Sequence, residues 1–263
     1  MTPSGFSAVV ALAVLEGALV ALPRGDALER LGRLRSPVWA AVLPGSIVVG
    51  TFGVLALPSM ALGLAVLAGV ATPLLSTIAI VGVVRGPRAA LLVTVLVLAL
   101  VAALMSGWVG EISASVLTAL GCLTPGVALV RLVPMRWVFV GVLCMCAVDV
   151  ALLACGIGQP AAALMNDATA HLRWPAFDHA AIGPATTDYP DLLLAAVLGG
   201  AVAGHGVQRH AAVLVTTLAA GYGLLLSHVT MLPATVPVAA MFILLRWGPP
   251  AVRRRSSVRH AMA

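Results

Sequence analysis

The chain has 263 residues, 61% of them hydrophobic and only 9% charged, with a net charge of +6 and a mean hydropathy of +1.10. A soluble domain carries roughly 25% charged residues and needs them to cover its surface, so a soluble enzyme, a nucleic-acid binder and a disordered protein are all excluded. All fifteen basic residues are arginine, which removes Schiff-base and Ser–Lys chemistry.

A bilayer core of about 30 Å asks for roughly 20 apolar residues per spanning helix. Nine segments read as spans: 6–23, 38–56, 60–84, 88–108, 111–130, 135–156, 189–206, 210–229 and 232–247. The first is not a cleaved signal peptide, because no basic residue precedes it and Arg24 follows it. The second and third form one apolar stretch that must turn near Leu57-Pro58-Ser59, since proline cannot continue a helix without loss. The fourth and fifth divide at residues 106–111. Residues 157–188 form the one long polar connection, with Asp167, His171, Arg173, Asp178, His179 and Asp188. Connections of that length are usually functional or disordered. The string Thr186-Thr187-Asp188-Tyr189-Pro190 reads as a cap for the seventh span. Cys122, Cys144, Cys146 and Cys155 lie in or beside apolar runs without a Cys-x-x-Cys pair, and read as small core residues.

The arginines predict orientation. With nine spans, fourteen arginines fall on one side and only Arg173 on the other, a strong positive-inside bias. The expected fold is all-α and polytopic, with nine transmembrane helices, the amino terminus outside and the carboxyl terminus in the cytoplasm. Three regions follow: a five-helix scaffold over 1–134, helices six to nine with an external loop 157–188 over 135–248, and a basic cytoplasmic tail over 249–263. The expected location is the cytoplasmic (inner) membrane, with the lipid bilayer as partner. The Arg253-Arg254-Arg255 run is a topology anchor drawn to anionic lipid, not a nucleic-acid site.

Apart from Glu111 at the first position of span five, three acids fall inside spans: Glu16, Asp149 and Asp191. An ionisable group there costs about 2.5–3.5 kcal/mol on insertion scales and is a functional hypothesis by default. Asp149 lies near the outer end of span six, and Asp191 two or three residues into span seven. On consecutive antiparallel helices the two carboxyls can converge at similar depth. Two close carboxylates in low dielectric cannot both ionise, so one serves as base towards water and the other as acid towards a carbonyl. The same pattern also suits separate wetted acids in a proton-coupled carrier. Asp188 is the alternative to Asp191, three residues away. Glu16 reads as hydrogen-bonded between helices or facing a wet cavity.

Span six reads Ala147-Val148-Asp149-Val150, span seven opens Asp188-Tyr189-Pro190-Asp191-Leu192, and span nine opens Leu232-Pro233-Ala234-Thr235. An aspartate in span six, another at the head of span seven and Pro-Ala at the head of span nine resemble the presenilin and signal peptide peptidase family. Those intramembrane aspartyl proteases carry Tyr-Asp, Gly-x-Gly-Asp and Pro-Ala-Leu motifs on the same three of nine helices. The resemblance covers about residues 135–247, and before that it rests on span count. It departs at Val148, where the family has tyrosine, at Tyr189-Pro190, where it has x-Gly, and at Thr235, where it has leucine. The resemblance implies that Asp149 and Asp191 are catalytic and that Pro233, Ala234 and Thr235 bind substrate. It also implies that the substrate is a single-span membrane protein or peptide, and that no metal or cofactor takes part. A divergent member with a rearranged site, or one that has lost activity, fits the same residues. No His-Glu-x-x-His, Gly-x-Ser-x-Gly or Walker A sequence is present. His228 reads as interfacial, and Gly200-x-x-x-Gly204 has the spacing of a helix contact. An intramembrane protease, a small proton-coupled transporter and a non-catalytic assembly subunit are the competing readings. The concentration of acids and loop after residue 135, without an internal repeat, favours the first.

Overall fold

The computed structural model describes residues 3–84, 89–172, 174–226 and 235–247. In chain order these form α1 (Pro3–Ala21), α2 (Val42–Ala56), α3 (Pro58–Ile78), α4 (Ala89–Leu104), α5 (Trp108–Leu132), α6 (Met135–Ala154), α7 (Gly158–Leu172), β1 (His179–Ile182), β2 (Ala185–Asp188), α8 (Tyr189–Val202), α9 (Gln208–Leu226) and α10 (Val236–Trp247). A helix stands at each of the nine apolar segments. Short 3-10 turns precede α2, and a π turn over Ala79–Val84 extends α3. Among the described residues, four helical stretches are long and apolar enough to cross a bilayer: Pro37–Ala56, Pro58–Val84, Trp108–Leu132 and Met135–Ala154. Gly5–Ala21, Leu92–Leu104 and Tyr189–Val202 are apolar but shorter. The chain is an all-α bundle of membrane type. Among the described residues its only strands lie in the long polar connection, which folds into α7 and a small hairpin.

Helix boundaries follow local chemistry. Leu57 leaves helical geometry between α2 and α3, and Pro58 opens α3, where its missing N–H has no intrahelical acceptor to lose. Gly107 turns the chain between α4 and α5 with φ of 82°, a left-handed value that glycine adopts without strain.

The centre of the bundle is α5 against α8, with α1 on the other flank of α8. Residues 191–200 of α8 are buried without interruption. Small residues let the backbones approach, as van der Waals packing between membrane helices requires. A Cβ on Gly126 would meet the Ala196 methyl at 2.6 Å, and one on Gly199 would meet the Leu19 carbonyl at 2.4 Å. Helix α1 also packs on α9, so it is held from two sides. The α6 helix rests on α2 and α10, and α10 touches α6, α8 and α9. Regions 1–134 and 135–248 therefore share one core.

The connections meet at two ends. The Arg24 amide donates to the Val83 carbonyl at 3.2 Å, and the Ser36 amide to the Leu132 carbonyl at 2.7 Å. Arg131 donates from Nε to the Ala27 carbonyl at 2.9 Å and from Nη2 to the Gly25 carbonyl. Gln208 Nε2 faces the carbonyls of Val20, Ala21 and Pro23 at 3.1, 3.2 and 2.9 Å, supplying a donor to the otherwise orphaned end of α1. The segments following α1, α3, α5 and α8 thus gather at one end. At the other, α7 lays Leu164, Met165 and Ala168 over Val54 and Ala61 beside the α2–α3 turn.

Two sequence expectations are corrected. Gly200 and Gly204 do not share a helix face, because α8 ends at Val202. Gly204 instead has φ of 76° and packs its Cα against Gly25. Of the cysteines, only Cys122 is a buried core residue, whereas Cys144 and Cys155 are exposed.

Candidate functional site

The site is built from the hairpin downward. Strands β1 and β2 pair antiparallel, with His179 opposite Asp188. Gly183 turns between them with φ of 56°. The hairpin is clamped to α5. Ser115 Oγ accepts the Ala181 amide and donates to the Ala181 carbonyl, both at 2.9 Å, and the Glu111 carboxylate accepts the Gly183 amide at 2.8 Å. Ser115 stands about 10 Å along α5 from Trp108, at 1.5 Å per residue. Further along α5, Gly126 meets Ala196. Helix α8 therefore starts part-way down α5, and the hairpin occupies the length before it. Asp191 is consequently inside the bundle rather than near its end, where counting from the span's start had put it. The connection folds back along the helices, which a linear count does not register.

The start of α8 explains how Asp191 is held. Asp188 is the N-cap residue, in extended geometry (φ −77°, ψ 158°), and its side chain makes no capping bond. It ends β2, so it does not share a helix face with Asp191. Asp191 is the third helical residue, and its carboxylate accepts the Asp188 backbone N–H. This is one half of a capping box, and it fixes the carboxyl at the positive end of α8. Asp191 is only 4% exposed.

Asp149 approaches from α6 and is half-buried. Thr235, buried immediately before α10, donates its hydroxyl to Asp149 Oδ2 at 2.9 Å. Pro233 and Ala234 lie outside the described residues, as do His228, Arg173 and residues 248–263. The α10 helix packs on both α6 and α8, and so links the elements that carry the two aspartates. Asp191 lies within electrostatic range of Glu16, Asp188 and Asp149. The Tyr222 phenol of α9 lies within range of both Asp149 and Asp191. Glu16, buried on α1, lies within reach of the Thr187 side chain, a partner on strand β2 where the sequence suggested a neighbouring helix or a wet cavity. Carboxyls from α1, α6 and α8 and from the β2–α8 junction thus form one charge network.

His179 flanks this network. Its Nδ1 stands 3.2 Å from Asp178 Oδ1. The pairing with Asp178 raises the His179 pKa above its ordinary value, outweighing the partial burial that lowers it. A cavity of about 170 Å³ lies elsewhere, between the α4–α5 turn, Pro175, Ala176 and Ala181, and none of the four networked acids lines it. Among the described residues, no group of three His, Cys, Asp or Glu side chains is placed to hold a metal ion.

The structure brings Asp149, Asp191, Asp188 and Thr235 into one neighbourhood. Sequence reasoning did not place Thr187 or Tyr222 there. Each pairs across a long stretch of chain, and no local pattern encodes that. Glu16 did carry a signal, as the lone acid of an apolar helix, but nothing in the sequence named its partner. In comparison with known proteins, the chain matches no family model, no curated protein and no solved structure.

Proposed function

We propose that the chain is an intramembrane aspartyl protease of the signal peptide peptidase type. In this reading it is a nine-span protein of the cytoplasmic membrane, amino terminus outside and carboxyl terminus inside. Its substrate is a transmembrane segment of a single-span protein. The observation that carries the reading is the Thr235–Asp149 hydrogen bond at 2.9 Å, with Asp191 in electrostatic range of Asp149. It joins residues from the same three helices on which the resemblance rests. Asp149 and Asp191 act as the acid–base pair. One takes a proton from the attacking water while the other donates to the scissile carbonyl. A helical peptide bond is sheltered by its own hydrogen bonds, so the substrate unwinds locally and lies beside Pro233-Ala234. No metal or cofactor enters the scheme.

The test uses purified protein with a panel of single-span substrates. Wild type cleaves, with a bell-shaped pH dependence reporting the pair rather than one residue. Asp149→Asn and Asp191→Asn each abolish cleavage while leaving the bundle folded. Cleavage that persists in both variants removes the assignment.

A small proton-coupled transporter is the second reading. Glu16 and Asp188 favour it, because they add two carboxyls to a network where a protease pair needs only two. Proton-dependent solute uptake in vesicles, lost in Glu16→Gln, would establish it in place of the first.

A further inference from the structure

We propose that the arginine-bearing ends of α2 and α6 together hold an anionic phospholipid. Arg35 and Arg136 bind its phosphate, Trp39 and Trp137 lie at the level of its glycerol, and its acyl chain follows the two helices. The site is separate from the acids and needs only that the bundle lies in a bilayer. Two segments carry the same order of chemistry. The first runs through Arg35, Trp39, Val42 and Val49, the second through Arg136, Trp137, Val140 and Leu143, and all eight residues are exposed. In each, guanidinium, indole and aliphatic side chain succeed one another away from the shared end, as headgroup, interface and hydrocarbon do in a leaflet. From Trp39 to Val49 the helix rises about 15 Å at 1.5 Å per residue, half of a core of about 30 Å. Arg136, Val140 and Leu143 stand at i, i+4 and i+7, on one helix face.

The two segments lie side by side. The Ser36 amide, next to Arg35, donates at 2.7 Å to the Leu132 carbonyl, just before the turn that leads to Arg136. Further along, a Cβ on Gly141 of α6 would meet the Ala40 carbonyl at 2.9 Å and the Leu43 side chain at 3.1 Å. Ala40 and Leu43 are buried and directly follow Trp39 and Val42, so the exposed faces flank a close helix contact. Backbone and packing contacts, not the guanidiniums themselves, therefore bring the two arginines together. Nothing in the chain neutralises them. No acid occurs from residue 30 to 56 or from 131 to 148, and among the described residues no acid pairs with Arg35 or Arg136. The Arg136 guanidinium stands 5.9 Å from the centre of the Trp137 ring, which puts cation and indole next to each other. Charge selects the occupant. A second copy docking by two-fold symmetry would set the same arginines against each other. A zwitterionic lipid brings an ammonium with its phosphate. An anionic phospholipid offers phosphate oxygens that match the donor fork of arginine, and an acyl chain for Val42, Val49, Val140 and Leu143.

The test titrates the purified full chain in mild detergent with dioleoyl phosphatidylglycerol or dioleoyl phosphatidylcholine, counting bound lipids by native mass spectrometry. The expected result is a monomer that binds the first phosphatidylglycerol about tenfold more tightly than phosphatidylcholine, the scale of two surface arginines on an anionic lipid. The double variant Arg35→Gln/Arg136→Gln should bring the two lipids to within about twofold of each other. Both side chains are exposed, so the bundle should keep its thermal midpoint. Arg24→Gln/Arg209→Gln removes the same charge from exposed positions at the same end and should keep the preference within about twofold of wild type. Glycerol 3-phosphate, which has the headgroup chemistry and no chains, should not displace the lipid. Equal binding of the two lipids by wild type would overturn the proposal, and so would equal losses in the two double variants, which would mean diffuse charge. Displacement by glycerol 3-phosphate would reassign the patch to a soluble anion, and a dimer that carries no lipid would reassign it to a second copy. None of these readouts involves cleavage or transport, so the acid site stands or falls separately.

Discussion

The Thr235 hydroxyl bonds Asp149, and Gly126 of α5 packs against Ala196, five residues along α8 from Asp191. Thr235 stands where the resembled family has leucine, and its hydroxyl makes a bond that leucine could not: it donates to Asp149 Oδ2. A net hydrogen bond is worth about 0.5–1.5 kcal/mol, and more when the partner is charged. On the proposed protease reading, Thr235→Val, which keeps the shape and loses the donor, should lower kcat by roughly three- to tenfold. Thr235→Ser should recover most of that loss. Steady-state cleavage kinetics on the two variants checks it, and equal rates in Thr235→Val and wild type would show that the hydroxyl is idle. Gly126 poses a steric question instead. Its added Cβ meets the Ala196 methyl at 2.6 Å and the Val197 amide nitrogen at 2.9 Å, and a backbone atom cannot rotate away. Gly126→Ala should therefore destabilise the bundle by about 1–3 kcal/mol, as a lower thermal midpoint. Gly32→Ala, where nothing lies within 4 Å, is the matched control and should leave the midpoint unchanged.

At the scale of elements, hydropathy was legible and pairing was not. A helix stands at each of the nine apolar segments over the described residues, and a long apolar run with few breakers has no cheaper way to satisfy its backbone away from water. Pro58 and Gly107 marked two of the boundaries for equally local reasons. The hairpin left no such trace. Its strands are four residues each, they do not alternate cleanly, and they are held by Ser115 and Glu111 from a distant helix. Helix α7 was hidden differently, because it is short, alanine-rich and too polar to register as a span, and its buried stripe matters only once the α2–α3 turn lies beneath it. The hairpin also carries a pH dependence of definite sign. The His179 pKa is raised in the folded protein by Asp178, so the pairing stabilises fully below the unfolded value near 6.5 and is lost as pH rises through the folded value. A partly buried pair of this kind is worth up to about 1 kcal/mol. Amide protection of residues 179–188 should therefore fall as pH rises from 6 to 9, and Asp178→Asn should flatten that dependence. A hairpin whose protection is equally pH-dependent in Asp178→Asn would show that another group sets it.

At the scale of the whole molecule, the arginine pattern and the hydrogen bonding of the connections address one question by independent routes. Positive-inside counting uses composition alone, and it puts Arg24, Arg30, Arg33, Arg35, Arg131 and Arg209 on a single side. The folded chain ties together the segments that hold them. Arg131 binds the carbonyls of Gly25 and Ala27, Ser36 binds Leu132, and Gln208 reaches the last turn of α1. Neither observation contains the other, since arginine counts know nothing of tertiary contacts and the contacts would form in either orientation. The contacts gather these connections at one end of the bundle, and the arginine count alone carries the expectation that this end is cytoplasmic. The expected outcome of cysteine-accessibility mapping in intact cells follows. Single cysteines within residues 25–36 should resist a membrane-impermeant reagent until the cells are opened, whereas cysteines at exposed positions of α7, such as Asn166 and Ala170, should react at once. The mapping uses a background in which Cys144, Cys146 and Cys155 are replaced, because two of them are exposed and would label regardless. An external label on residues 25–36 would reverse the orientation. It would also place the hairpin and the β2–α8 junction at the cytoplasmic end, so substrate would have to approach the aspartates from the opposite face.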